Sequence, residues 1–156
     1  TLVDFHQMME RLVRMEDSQY SFRNTLVATN SEGIVMGILV AYDGGKLKEL
    51  RQRFIQEAIV SFGIDYSGMD SETEEGEFYI DSLAVSSSFR GKGIATQLLK
   101  AAIVKAAELG IPKVGLLVDK SNPKAERLYA HVGFEFVNNA VWGGHAMKHL
   151  QIKSSY

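Results

Sequence analysis

The stretch Leu83-Ala84-Val85-Ser86-Ser87-Ser88-Phe89-Arg90-Gly91-Lys92-Gly93-Ile94-Ala95 decides how this chain is read. A β-rich run passes through a tight turn holding two glycines and enters a helix near Ile94. Glycine tolerates positive φ and lets a ligand approach the backbone closely. The first N–H groups of the following helix lack partners and carry the positive end of its dipole. With Arg90 and Lys92 alongside, the turn has the makings of a phosphate or pyrophosphate site. A plain strand-to-helix connection that happens to contain glycine is the competing reading. Two familiar phosphate motifs are excluded: no Ser or Thr follows Lys92 as in a P-loop, and the third glycine of the dinucleotide fingerprint is missing.

Outward from this turn, the chain divides into recognisable elements. Upstream, Phe5, Met8, Leu12 and Met15 recur at helical spacing and predict a helix over 2–16. Leu26–Thr29 and Ile34–Tyr42 are β-rich runs joined by Asn30-Ser31-Glu32-Gly33, a hairpin signature. Leu47, Leu50, Phe54, Ala58 and Phe62 mark a second helix that Gly63 closes. The acidic stretch 70–77 is expected to be a loop, followed by a strand over 78–85. Downstream, the helix runs to about Leu109 with Gly110 as its cap, and a buried strand is expected near Val114–Val118. Pro123 opens a short helix that Gly133 ends. Two strands, 134–137 and 140–150, complete the chain. Strand and helix alternate through the second half, which implies an α/β sheet with helical cover.

A second group of residues carries chemistry: Asn122-Pro123-Lys124-Ala125-Glu126-Arg127-Leu128-Tyr129, followed by Gly133-Phe134. Ala125 and Tyr129 share one helical face, one turn apart. The Tyr129 phenol could donate a proton, and Asn122 could offer its amide to a polar ligand. Taken alone, the same residues read equally as a helix cap and a half-buried aromatic. In combination with Tyr79–Val85 and the turn, they resemble the GNAT superfamily of N-acetyltransferases. Arg90, Gly93 and Ala95 fit that family's signature for acetyl-coenzyme A, [QR]-x-x-G-x-[GA]. Asn122, Ala125 and Tyr129 fit its N-x-x-A-x-x-x-Y element.

The resemblance implies an α/β (α+β) fold whose mixed, mostly antiparallel central sheet is flanked by helices, as a single domain over 1–156. It implies that acetyl-CoA is the cosubstrate, with the backbone of Leu83, Ala84 and Val85 pairing with the pantetheine arm like an added strand. N–H groups of Arg90, Gly91, Lys92, Gly93, Ile94 and Ala95 would hold the pyrophosphate, and Asn122 would contact the arm. Tyr129 would protonate the departing thiolate, and a strand N–H near Leu83 would stabilise the oxyanion. The amine attacks the thioester directly in this family. Glu77 and Asp81, at the start and middle of the strand, are the candidate bases, or ordinary strand-edge carboxylates. Tyr79 stands where some relatives carry an acidic base. The family normally opens with a strand and helix ahead of the helix placed at 2–16, so the resemblance implies either that this element lies outside residues 1–156 or that the domain diverges at its N-terminal end.

Composition bounds the alternatives. The chain has 156 residues, 46% hydrophobic, enough for a real core, and it contains no cysteine. That excludes a disulfide framework, a thiolate metal site and a cysteine nucleophile. The longest apolar run, Ile34–Tyr42, falls far short of the ~20 residues that span a bilayer. No signal peptide is evident, so a cytoplasmic protein is expected. The net charge of −2 hides an asymmetry, because residues 54–89 hold eight acids and no Lys or Arg. Overall basicity is absent, so nucleic acid is not an expected partner. If the acidic middle borders the acceptor, its field favours a small cationic amine or a peptide amine. His6, His131, His145 and His149 are read as surface or packing residues, and no metal is expected. Trp142 and Tyr156 are given no role. The resemblance favours an N-acetyltransferase, with a homodimer left open. A non-catalytic acyl-CoA-binding or sensing domain of the same fold is the alternative, ahead of an unrelated nucleotide-binding module.

Overall fold

In the computed structural model, which describes residues 1–154, six strands form a single sheet in the order β1-β2-β3-β4-β6-β5. Tyr156 lies outside the described residues. The strands are β1 (Thr25–Thr29), β2 (Val35–Asp43), β3 (Glu77–Val85), β4 (Lys113–Asp119), β5 (Glu135–Trp142) and β6 (His145–Lys153). Every neighbouring pair is antiparallel except β3–β4. The four α-helices are α1 (Leu2–Arg14), α2 (Leu47–Phe62), α3 (Ile94–Glu108) and α4 (Pro123–Val132). No helix among the described residues is long and apolar enough to cross a membrane.

Strand alternation sorts the side chains onto two faces. One face carries Phe78, Ile80, Val114, Leu116, Val118 and Leu150, all buried against Leu98, Leu99, Ala102 and Ala106 of α3. The two alanines are fully buried, so α3 can lie close to the sheet without a gap. The opposite face carries Tyr42 and Tyr79, which pack with Leu47 of α2 and with Leu50 and Leu117. Farther out, Met8 and Leu12 of α1 meet Ala58 of α2, and Arg11 Nε donates to Glu57 at 2.8 Å. Each fully buried leucine in these clusters is worth about 1.5–3 kcal/mol relative to exposure.

Local signals set the element ends. Asn30 Oδ1 accepts from the N–H groups of Glu32 and Ile34, both at 2.9 Å, which fixes the β1–β2 turn. Gly63 ends α2 in the left-handed region at φ 66°, its N–H donating to the Ile59 carbonyl.

Two expectations need correction. The last two strands do not break between Val137 and Ala140. Residues 140–142 belong to β5, and the chain reverses at Gly143-Gly144, with φ values of 57° and 79°. A register shift between Phe136 and Asn138 leaves Val137 as an extra residue, so the Asn pair sits within the strand. The acidic stretch 70–77 is a loop only in backbone terms. Glu77 belongs to β3 and is fully buried, and the Glu72 side chain is only 6% exposed.

Candidate active site

The parallel ladder between β3 and β4 covers just Glu77–Tyr79 against Lys113–Gly115. Beyond Tyr79, β3 continues to pair with β2 as far as Val85, and β4 pairs with β6 as far as Asp119. The two strands therefore part company in mid-sheet. Backbone groups of β3 over 80–85 on the β4 side meet no strand, and a polar chain lying in that gap can satisfy them. Leu83 and Val85 are half-buried there, and Ala84 is exposed.

The turn 90–95 follows directly from the free end of β3. Gly91 and Gly93 adopt φ values of 75° and 78°, and open space surrounds both Cα atoms. Gly93 is the N-cap of α3 and supplies no side-chain cap, so the first-turn N–H groups are left for another acceptor. Arg90 and Lys92 are exposed on this turn. Arg90 Nε lies 3.4 Å from the Val85 carbonyl, and Lys92 Nζ stands 5.4 Å above the Phe89 ring. Ile94 is buried and anchors the helix, with Ala95 half-buried beside it. The residues present fit a pyrophosphate: a glycine turn open at Gly91 and Gly93, a helix N-terminus and two exposed cations.

Asn122 caps α4, its Oδ1 accepting from Ala125 N at 3.2 Å. One turn farther, Tyr129 is half-buried with its ring edge-on to Phe134 at 6.0 Å. Burial pushes its phenol above the usual range, so the proton is held on oxygen more tightly than in water.

A cleft of about 190 Å³ opens on the α1–α2 side of the sheet, lined by Tyr20, Glu72, Tyr79, Asp81, Trp142 and Met147, with Leu117 beneath. A β-bulge aims Asp81 into it. Val40 pairs with Ser82 and Ala41 with Ile80, so Asp81 is the extra residue on β3. Its Oδ2 accepts from Tyr42 Oη at 2.7 Å and from Gln19 Nε2 at 3.3 Å, and Oδ1 accepts from Ser82 Oγ at 3.1 Å. Burial, then the charge of Asp81, holds the Tyr42 phenol well above its usual range.

Glu77 lies apart from this cleft. Its side chain passes over Gly115, where a Cβ would collide with the carboxyl group. It reaches β6, meeting His149 Nε2 at 2.6 Å and accepting from Gln151 Nε2 at 2.6 Å. It thus ties β3 to β6 across β4 at the point where β3 and β4 begin to separate. The hydrogen bond that Glu77 accepts raises the His149 pKa above the ordinary imidazole value, against the effect of burial. With Glu74, these groups bring three metal-ligand-type atoms within 4.8 Å of one another. Their separation in sequence gives no spacing by which such a convergence could be seen.

Glu72 enters the sequence reading only as one of the acids of 54–89, whereas Trp142 in the cleft and Arg51 behind it are given no role there. Arg51 had a signal: it shares the buried stripe of α2 with Leu47 and Ala58, and a cation on such a stripe needs a buried partner. That partner is Glu72, at 3.5 Å.

The sequence matches the profile of the Acetyltransferase (GNAT) family over residues 5–134, a span that includes the turn, Tyr129 and most of the cleft. The chain belongs to the GNAT acetyltransferases. The match begins well upstream of Tyr79, where the motifs that carry the resemblance start. Among GNAT relatives, the chain is 34% identical over 98 residues to the [ribosomal protein bS18]-alanine N-acetyltransferase of Haemophilus ducreyi, covering 63% of each. It is 32% identical over 68 residues to the spermine/spermidine N(1)-acetyltransferase of Bacillus subtilis, covering 43% of this chain and 45% of that one. The aligned stretches span less than two thirds of either relative. A crystal structure described as that of an acetyltransferase superposes with a TM-score of 0.79 at 28% identity, covering 99% of this chain and 82% of that one. The GNAT fold is thus present across the described sheet and helices.

Proposed function

We propose that this chain transfers the acetyl group of acetyl-CoA directly to a primary amine, either a small cationic amine or the amine of a peptide. The observation that carries the reading is the parting of β3 from β4, which leaves free strand backbone leading into an open glycine turn. The cosubstrate's amide-bearing arm pairs with β3 over Leu83–Val85, and its pyrophosphate is held by the turn Arg90–Ala95, with Asn122 contacting the arm.

The amine enters from the Asp81 side and gives up a proton to the Asp81 carboxylate, directly or through water. Its nitrogen lone pair then attacks the thioester carbonyl, forming the C–N bond. An N–H of β3 near Leu83 stabilises the oxyanion, the kind of donor worth about 3–4 kcal/mol. The C–S bond breaks as the carbonyl re-forms, and the Tyr129 phenol delivers its proton to the thiolate. The adduct nitrogen loses its second proton to water as the amide forms, the amide and the free thiol leave, Asp81 releases its proton to solvent, and solvent returns a proton to Tyr129. Glu77, bonded to His149 and Gln151 away from the cleft, is a support for the strands in this scheme.

A thermal-shift titration tests the binding half. Acetyl-CoA at ~100 times its Kd stabilises the fold by roughly 2.7 kcal/mol by linkage alone. The expected result is a saturable rise in Tm with acetyl-CoA and none with ATP or NAD; the reverse order would overturn the assignment of the turn.

A further inference from the structure

The two oxygens of Asp81 are held differently. Oδ2 accepts from Tyr42 Oη at 2.7 Å and from Gln19 Nε2 at 3.3 Å. Oδ1 accepts, among the described residues, from the neighbouring Ser82 hydroxyl alone, at 3.1 Å. Tyr42 and Gln19 are both buried, at 3% and 2% exposure. Neither lines the cleft, so both reach a ligand there only through Asp81.

Gln19 is itself pinned. Its N–H donates to the Leu50 carbonyl of α2 at 3.2 Å, and its carbonyl accepts from Asn24 Nδ2 at 3.2 Å. Beside it, Ser18 Oγ donates to the Leu12 carbonyl of α1 at 2.6 Å. These bonds fix the loop after α1 to both helices and deliver the amide to Asp81 in one pose. The amide is poorly served in return. Gln19 Oε1 is buried and, among the described residues, has no hydrogen-bond partner. An unpaired buried acceptor costs free energy that an apolar side chain of similar length would not. Packing therefore gives no reason for an amide at this position, whereas the contact of its NH2 group with Asp81 does.

We propose that Gln19 and Tyr42 are positioning residues of the transfer reaction: they clamp Asp81 Oδ2 so that Oδ1 meets the acceptor amine. This rests on the acetyltransferase reading above, with Asp81 as the base. A carboxylate held by two donors on one oxygen cannot rotate about its Cβ–Cγ bond without breaking both, so its other oxygen keeps one place. Burial, then the Asp81 charge, keeps the proton on the Tyr42 phenol, which stays a donor.

Steady-state kinetics of a double-mutant cycle test the inference, with acetyl-CoA and the faster of spermidine and an alanyl peptide amide as acceptor. Asp81→Asn lowers kcat by about 10²–10⁴. With Asp81 in place, Tyr42→Phe lowers kcat by about 10–100-fold and Gln19→Met by about 3–10-fold, the KM for acetyl-CoA being unchanged. In the Asp81→Asn background each costs less than about twofold, because no carboxylate is left to position. Gln19→Met also keeps its Tm at or above that of wild type, whereas a residue retained for packing loses Tm together with kcat. Equal losses with and without Asp81 overturn the inference. Wild-type kcat in Tyr42→Phe or in Gln19→Met, with the Asp81→Asn loss intact, overturns it for that residue and leaves the acetyltransferase reading standing. Full kcat in Asp81→Asn overturns the base assignment and the inference with it, and no product from either amine with wild type overturns the acetyltransferase reading as well.

Discussion

The turn at 90–95 and the cleft around Asp81 are built in opposite ways. The turn is contiguous in sequence, exposed and made mostly of backbone, and its side chains add charge at the rim. The cleft is assembled from α1's trailing loop, the loop that carries Glu72, β3, β4 and the β5–β6 hairpin, and its chemistry lies in buried and half-buried side chains. A site that recognises an invariant part of a cosubstrate can be coded by glycines and a helix start, since backbone geometry does the work. A site that must select among amines depends on which side chains the tertiary fold brings together.

Tyr129→Phe tests the largest effect expected from this division. If the phenol protonates the thiolate, kcat falls by about 10²–10⁴, with the KM for acetyl-CoA little changed. Steady-state kinetics on an accepted amine reads this. An unchanged kcat would make Tyr129 a packing residue against Phe134 and remove the acid from the scheme.

Gly93→Val attacks the backbone character of the turn. Gly93 sits at φ 78° with no neighbour in the way, so the substitution acts through backbone strain and by filling the cradle. The linkage stabilisation of roughly 2.7 kcal/mol at saturating acetyl-CoA should vanish, while the free protein loses about 1–2 kcal/mol. Retained affinity would show that the pyrophosphate lies elsewhere.

Legibility follows the same division. The turn, the α4 cap and the order of elements were all readable because each is a local pattern: strand period, glycine, helix start. The acidic stretch was misread because composition alone makes Glu72 and Glu77 look solvated. A carboxylate is buried when a distant cation or donor waits for it, here Arg51 on α2 and His149 on β6. The β5–β6 break was misplaced because Asn138-Asn139 resembles a turn, whereas the Gly143-Gly144 pair supplies the two positive φ values a tight hairpin needs. Trp142 gains its place in the cleft from that hairpin, a relation no sequence window contains.

The strut between β3 and β6 gives two smaller tests. Gly115→Ala pushes a methyl group into the Glu77 carboxyl, and about 1–3 kcal/mol of stability should be lost in urea unfolding. A neutral outcome would mean the strut is free to move. His149→Gln should cost about 1 kcal/mol, and its effect depends on pH. Because the folded pKa of His149 is raised, the pair's contribution is full below the unfolded value, near 6.5, and declines as pH rises through the folded value. Wild type should therefore lose stability relative to His149→Gln on going from mildly acidic to alkaline pH. A difference that stays constant across that range would show that the ion pair does not titrate with folding.

Direct transfer from acetyl-CoA to an amine is the central claim, and one reaction tests it. Acetyl-CoA is incubated with the protein and either spermidine or an alanyl peptide amide; free thiol, acetylated amine and protein-bound acetyl are followed together by mass spectrometry. Thiol and acetyl-amine should appear in equal amounts, only when both protein and amine are present, with no acetyl on the protein. Acetyl-CoA bound at the turn without any acetyl-amine formed, or an acetylated protein that precedes the product, would contradict the account.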